Sequence, residues 1–368
     1  MKKIFFKSLL IIALLIVTFV LPVVYSTGIA VYFRLALLFF IVLESFKLFK
    51  IIIIDAKINH ALSNFATTLF SFFIIFMILE TVFMFVPRTH FFDYTLASKL
   101  WYAKYYKPIN SLGFRDNEPN YNHNVILFVG DSFTAGSGLK SVDERFSNIV
   151  GKELNKKENK YTVINIGHPG ADSSDEFHLM QQVIYMTKIR PEIIVLQYFG
   201  DDIAHVAAEK LKTFEGFKPF VNVNAFLKPA VRGSYFLNYM YFLFPNKELT
   251  SSALSLMQQT YRDNNMLLKH QEQLKLFINY ARENHIQLIA VVFPVLEDIE
   301  ISNSIYVNDI VNYFEVHKIT TINVSQLVKN IPLQERIINK NDGHPSKSVH
   351  ASVAYEVLRK IRFNGNNE

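Results

Sequence analysis

The chain has no cysteine. Disulfide staples, thiolate zinc sites, iron–sulfur ligation and a cysteine nucleophile are therefore excluded, while the compartment stays open. Glycine and proline are also scarce, at 13 and 12 of 368 residues, which excludes a collagen-like or low-complexity chain. None of the 11 His falls in an H-E-x-x-H pattern, and no Gly-Lys-Ser or Gly-Lys-Thr follows Gly136-Ser137-Gly138, so neither a zincin nor a P-loop reading is carried. Lys152, Lys156, Lys157 and Lys160 lack interleaved aromatics and read as a solvated face, with no nucleic-acid partner expected. His168 reads as a packed turn residue and His350 as a helix-surface residue. Charged residues are only 19% of the chain, against 50% apolar residues, 34 Phe and 18 Tyr. That balance is high for a soluble enzyme and points to a membrane portion beside one or two folded units.

The membrane portion is residues 1–88. From Ser8 to Phe33 no side chain is charged, and about 20 apolar residues suffice to cross a bilayer core as a helix. Three transmembrane helices are expected, at about 9–25, 29–46 and 64–85, with Arg34 and Glu44 snorkelling from the second. Glu80 is expected to be a solvated carboxylate near the outer end of the third. Lys2, Lys3 and Lys7 precede the first span, and Lys47, Lys50 and Lys57 lie between the second and third. Cations collect on the cytoplasmic side, so the N-terminus is expected there and everything after about Arg88 in the periplasm or outside the cell.

Residues 89–124 read as a polar, Tyr-rich linker and lead-in, ending in Asn110-Ser111-Leu112-Gly113-Phe114-Arg115-Asp116. From 125 to 363 short apolar runs alternate with amphipathic stretches. Strands are expected at Val125 to Val129, Tyr161 to Ile166, Ile193 to Tyr198, Leu288 to Phe293 and Thr320 to Val324, with helices between them. That alternation predicts a parallel sheet covered on both faces, whose ligands bind at the carboxyl ends of the strands. Residues 204–264 fit it poorly and read as an insertion holding a buried helix within Tyr235 to Pro245.

Chemistry-bearing residues fall at those strand ends or in a loop on the same rim. Gly130-Asp131-Ser132-Phe133 lies where the first strand turns into a helix, which exposes the Ser132 hydroxyl and leaves its own N–H as a helix-start donor. Gly167-His168-Pro169-Gly170 follows the second strand, where small residues let backbone approach a ligand. Phe199-Gly200-Asp201-Asp202 follows the third, and Asn341-Asp342-Gly343-His344 precedes the last helix.

This ordered set resembles the SGNH/GDSL hydrolase superfamily, over about Asn110 to Ile361, and the N-S-x-G-F-R lead-in resembles its membrane-attached members. The resemblance implies a three-layer α/β/α sandwich, flavodoxin-like, preceded here by the N-terminal transmembrane helices. It implies Ser132 as nucleophile, His344 as general base and Asp342 as the carboxylate that orients it. The oxyanion hole would be formed by Ser132, Gly170 and the third-block position, where the family carries Asn and this chain carries Asp201. An ionised carboxylate only accepts hydrogen bonds and would repel the developing negative charge, unless burial or Asp202 keeps Asp201 protonated. The acid two residues before the His, rather than three, is a second departure from the common pattern. No cofactor or metal is implied.

The expected function is a membrane-anchored, extracytoplasmic serine esterase or O-acyltransferase acting on acylated cell-envelope glycans or glycolipids. Its expected partners are the lipid bilayer and, for a transferase, a membrane protein that delivers acyl groups. The alternative is a catalytically impaired SGNH-shaped protein that binds glycan.

Overall fold

Long runs rich in Leu, Ile, Phe and Val form the helices at the start of the chain, and short β-branched runs bounded by Gly, Asn or Pro form the strands that follow. The computed structural model describes residues 2–19, 29–55, 60–90, 95–121, 124–156, 160–211, 223–224, 226–244 and 247–362. They fall into two units, one formed by Met1–Lys104 with Lys218–Pro245 and the other by Tyr105–Phe217 with Asn246–Glu368.

The first unit holds helices Lys2–Phe19, Ile29–Lys50 and His60–Phe83, with the short helices Lys228–Gly233 and Tyr235–Tyr241 from the insertion. Among the described residues, His60–Phe83 alone is long and apolar enough to cross a membrane; the apolar part of the first helix, Ile4–Phe19, is shorter. Ile29–Lys50 carries Arg34, Glu44, Lys47 and Lys50. The end of the expected first span, 20–25, lies outside the described residues. Phe39, Phe40, Phe65, Phe72 and Ile78 are more than half exposed, while Leu38, Ile41, Met77, Met84, Leu96 and Tyr235 form a small core.

Two expectations for this unit are corrected. Glu80 is not solvated but fully buried, accepting from Arg34 Nη2 at 2.7 Å, Ser234 Oγ at 2.6 Å, Tyr235 N at 3.0 Å and Phe236 N at 3.1 Å. Arg34 does not snorkel: it is buried, also donates to the Gly233 carbonyl, and lies over the rings of Phe19 and Tyr235. The carboxylate sits at the N-terminus of Tyr235–Tyr241, where backbone N–H groups have no intrahelical acceptor. Within Tyr235–Tyr241 only Tyr235 and Asn238 are buried, so the insertion helix is half-buried rather than buried.

The second unit is built on a five-stranded parallel sheet, β1 (Asn124–Val129), β2 (Tyr161–Asn165), β3 (Pro191–Tyr198), β4 (Gln287–Val292) and β5 (Thr320–Asn323), in the order β2-β1-β3-β4-β5. Leu127 pairs with Ile164 and with Ile194, and Val291 pairs with Gln197 and Ile322. One sheet face, with Leu127, Val129, Leu196, Ala290 and Val292, packs on Phe177 and Met180 from helix Ser173–Thr187 and on Leu274 and Phe277 from helix Asn264–Glu283. The other face carries Phe128 and Phe293 against Phe146 of helix Phe146–Leu154, and His350 of helix Lys347–Lys360 stacks on the same ring. His350 is thus core rather than surface; its Nδ1 accepts from Phe146 N, and burial lowers it to about 3. A parallel sheet with helices on both faces is a flavodoxin-like α/β/α arrangement, and its order reverses direction between β1 and β3, where open sheets bind ligands.

Candidate active site

The site is assembled at that reversal. β1 ends at Val129, and the chain turns through Gly130 and Asp131 into a single helical turn, Ser132–Ala135. Asp131 caps the turn by accepting from Phe133 N at 2.6 Å, and its own N–H donates to Gln197 Oε1 at 3.0 Å. Gln197 is a buried polar residue inside an otherwise apolar strand; it also takes the Thr134 hydroxyl. The far end of the turn is held by Arg115 from the lead-in. Its guanidinium donates to the carbonyls of Gly136 at 2.5 Å, Leu139 at 2.6 Å, Tyr105 at 3.0 Å and Ala135 at 3.3 Å, satisfying orphan carbonyls where Gly136 takes φ 71°. Next to it Asp116 is paired with buried Arg145 at 2.6 Å and accepts from Asn165 N at 3.0 Å, tying the lead-in to β2.

His344 and Asp342 come from a hairpin, not a loop, just before the last helix. Ile337–Asn339 (β6) and Asp342–Pro345 (β7) form a short antiparallel hairpin, with Asn339 paired to Asp342. Alternation along β7 puts residues 342 and 344 on one face, which is why an acid two positions before the His can reach it. His344 Nε2 lies 2.9 Å from Ser132 Oγ, and His344 Nδ1 lies 2.5 Å from Asp342 Oδ1. With Asp342 accepting the Nδ1 proton, Nε2 is left to accept from the Ser132 hydroxyl. Asp342 and His344 are buried, and Ser132 is half-buried. Glu297, after β4, lies close enough to Asp342 to feel its charge; burial first, then Asp342, raises its carboxyl above the usual range.

The loop after β2 lies alongside. His168 N donates to the Gly130 carbonyl at 2.9 Å, and Ala171 N to His168 O at 3.0 Å. The His168 ring is exposed, so this residue holds the turn through its backbone rather than by packing. Gly170 is exposed at φ 80°, a conformation that disfavours any side chain, and open space surrounds it.

After β3 comes the acidic part of the site. Asp131, Asp201 and Asp202 each place a carboxylate oxygen within 4.8 Å of the others. Burial raises Asp131 to about 6, while the Phe133 N–H and His344 pull the other way. Asp201 is raised to about 7, by burial and then by Asp131. Its side chain is solvent-exposed, so the repulsion of Asp131 is the firmer of those two causes. Asp202 and Glu176 lie well above the carboxylate range, chiefly through burial, with other carboxylates of the cluster adding to it.

The structure therefore brings Ser132, His344 and Asp342 into hydrogen-bonded contact and sets Asp201 beside Asp131. Gly170 lies in the loop anchored to Gly130. Glu176, Gln197 and Glu297 were absent from the sequence reading. Glu176 shares an apolar helix face with Met180 and Val183 at i, i+4 and i+7, and that misplaced charge was its signal.

No protein-family model and no curated protein matches the chain. Among solved structures, TesA aligns at 14% identity and TM-score 0.39 over 65% of this chain and 98% of its own. A lipase/acylhydrolase from Enterococcus faecalis aligns at 16% and 0.39 over 65% and 95%. The acetyl xylan esterase AlAXEase aligns at 16% and 0.40 over 65% and 100%. Likenesses this distant support no transfer of activity.

Proposed function

We propose that this chain is a membrane-anchored, extracytoplasmic serine esterase or O-acyltransferase of the SGNH type, acting on acylated cell-envelope glycans or glycolipids. The observation that carries the reading is the Ser132–His344–Asp342 relay at the carboxyl end of the parallel sheet. Ser132 Oγ attacks the ester carbonyl as its proton passes to His344 Nε2, and Asp342 stabilises the imidazolium that forms. His344 then protonates the leaving alkoxide, and the acyl group on Ser132 passes to water or to an acceptor hydroxyl. The N–H groups of Ser132 and Gly170 are the donors proposed for the oxyanion.

Anchoring is proposed through the three N-terminal helices, with the N-terminus cytoplasmic and the α/β unit outside. Support comes from the apolar helix His60–Phe83 and from the exposed Phe, Leu and Ile residues along all three. If the acyl-enzyme is passed to an acceptor, a membrane protein that supplies acyl groups is the expected partner.

The test is labelling of detergent-solubilised protein with a fluorophosphonate probe. Wild type is expected to label, and Ser132→Ala and His344→Ala to lose the label. Label that persists in Ser132→Ala, or none in folded wild type, overturns the assignment. The carboxylate at Asp201 favours a second reading, a glycan-binding domain whose chemistry is impaired. A higher turnover in Asp201→Asn supports that reading, whereas a lower one means Asp201 serves the reaction.

A further inference from the structure

Four carboxyl groups gather beside the Ser132 turn, and among the described residues no Lys or Arg forms an ion pair with any of them. Three of them, Asp131, Asp201 and Asp202, converge to within 4.8 Å. Oxygen ligands of one calcium ion, each about 2.3–2.6 Å from it, lie no farther apart than about 5 Å. The fourth is an independent observation. Glu176 is 1% exposed on helix Ser173–Thr187, and neither of its carboxylate oxygens has a hydrogen-bond partner. The start of its helix is tied to Asp202, whose carbonyl accepts from Ser173 N at 3.2 Å. Asp202 is fully buried; Oδ2 accepts from Phe199 N at 3.0 Å, and Oδ1 has no partner.

Buried carboxylates left without donors are costly, and they are normally paired or bound to a cation. We propose that Asp131, Asp201 and Asp202 bind a hard divalent cation of the magnesium, calcium or manganese class, with the Glu176 carboxyl group set behind them. An all-oxygen donor set selects that class over the soft metals. Asp131 keeps one oxygen on Phe133 N–H and has the other for the ion, and exposed Asp201 provides the route of entry. The site also accounts for a carboxylate where an oxyanion needs positive potential, because a cation held by Asp201 reverses the local sign. That catalytic consequence, unlike the binding itself, rests on Ser132 being the nucleophile.

The experiment uses the full chain in detergent micelles, stripped with EDTA and titrated with Mn2+ at pH 7.5, with free Mn2+ read by electron paramagnetic resonance. Wild type is expected to take up one Mn2+ per chain, displaced by excess Ca2+ or Mg2+. Asp201→Asn, an exposed and isosteric change, is expected to weaken uptake at least tenfold, and Glu176→Gln to weaken it less. Ser132→Ala is expected to bind as wild type does. No uptake by folded wild type up to millimolar Mn2+, or equal uptake by Asp201→Asn, overturns the cation site. Uptake that follows these expectations in a protein that no fluorophosphonate labels keeps the cation site and removes the esterase reading.

Discussion

Two sets of buried acids, Glu80 in the first unit and Glu176 with Asp202 in the second, are met in opposite ways. In the first, Glu80 is surrounded by four donors, one of them the Arg34 guanidinium, so its charge is compensated within the protein. In the second, Glu176 and Asp202 are as deeply buried, yet three of their four carboxylate oxygens meet no donor. A buried charge whose partners come from the chain itself is a device for holding segments together. A buried acid whose partners are missing from the chain stays protonated or takes a partner from outside it, here the proposed cation.

The largest effect that would break this contrast is at Glu80. Glu80→Gln leaves Arg34 buried without its counter-charge and is expected to destabilise the first unit by about 3–5 kcal/mol. Thermal unfolding in detergent reads the loss, and the double change Glu80→Leu with Arg34→Leu should recover much of it. Stability unchanged in Glu80→Gln would mean that the ion pair is not what holds Ser234 and Tyr235 to the His60–Phe83 helix.

Arg115→Ala comes next. It strips charged donors from the carbonyls that end the Ser132 turn, each such bond being worth about 1.5–3 kcal/mol. A positioning role predicts a fall of about tenfold or more in kcat with KM little changed, and no rescue by Arg115→Lys, whose ammonium lacks the planar fork. A loss confined to stability, with kcat intact in the folded fraction, would make Arg115 structural only.

The contrast is sharpened by Glu176→Gln. In EDTA this change replaces a buried carboxyl group that has no donor and is expected to be neutral or stabilising by about 1–2 kcal/mol, opposite in sign to Glu80→Gln. Destabilisation would reveal a donor for Glu176 within the protein.

The last comparison concerns buried groups kept neutral. Burial lowers His270 and His350 to about 3, from an unfolded value near 6.5. The unfolded chain therefore binds protons that the folded chain refuses. Stability should fall as pH drops from about 6.5 toward 3, by about 1.4 kcal/mol per pH unit for each histidine. His350→Asn, which keeps an acceptor for Phe146 N, should flatten that slope in urea titrations across pH 4–6; an unchanged slope would rule His350 out as a contributor.

Much of the second unit was legible because its signals are local. The five strand cores, the amphipathic helices and the small residues at strand ends each read from a few neighbouring positions. Ser132 stood out by residue type at a strand end, whereas Asp342 and His344 could be picked through the family resemblance of their motif before the last helix. The lead-in could be noticed but not explained, since Arg115 acts on carbonyls 20–24 residues away. His350 was misplaced because its helix position looks ordinary until the Phe146 ring stacks on it. Glu80 was misread for a related reason, its partners lying up to 156 residues distant at Phe236.

By itself, then, the sequence determined periodicity, hydrophobic content and which short motifs close each strand, because these depend on backbone geometry and transfer from water over a few residues. Whether an acid is solvated, paired or stranded was decided only by tertiary structure. A carboxylate's energy depends on which donors and charges surround it in space, and the folded chain drew those from helices and loops far apart in the sequence.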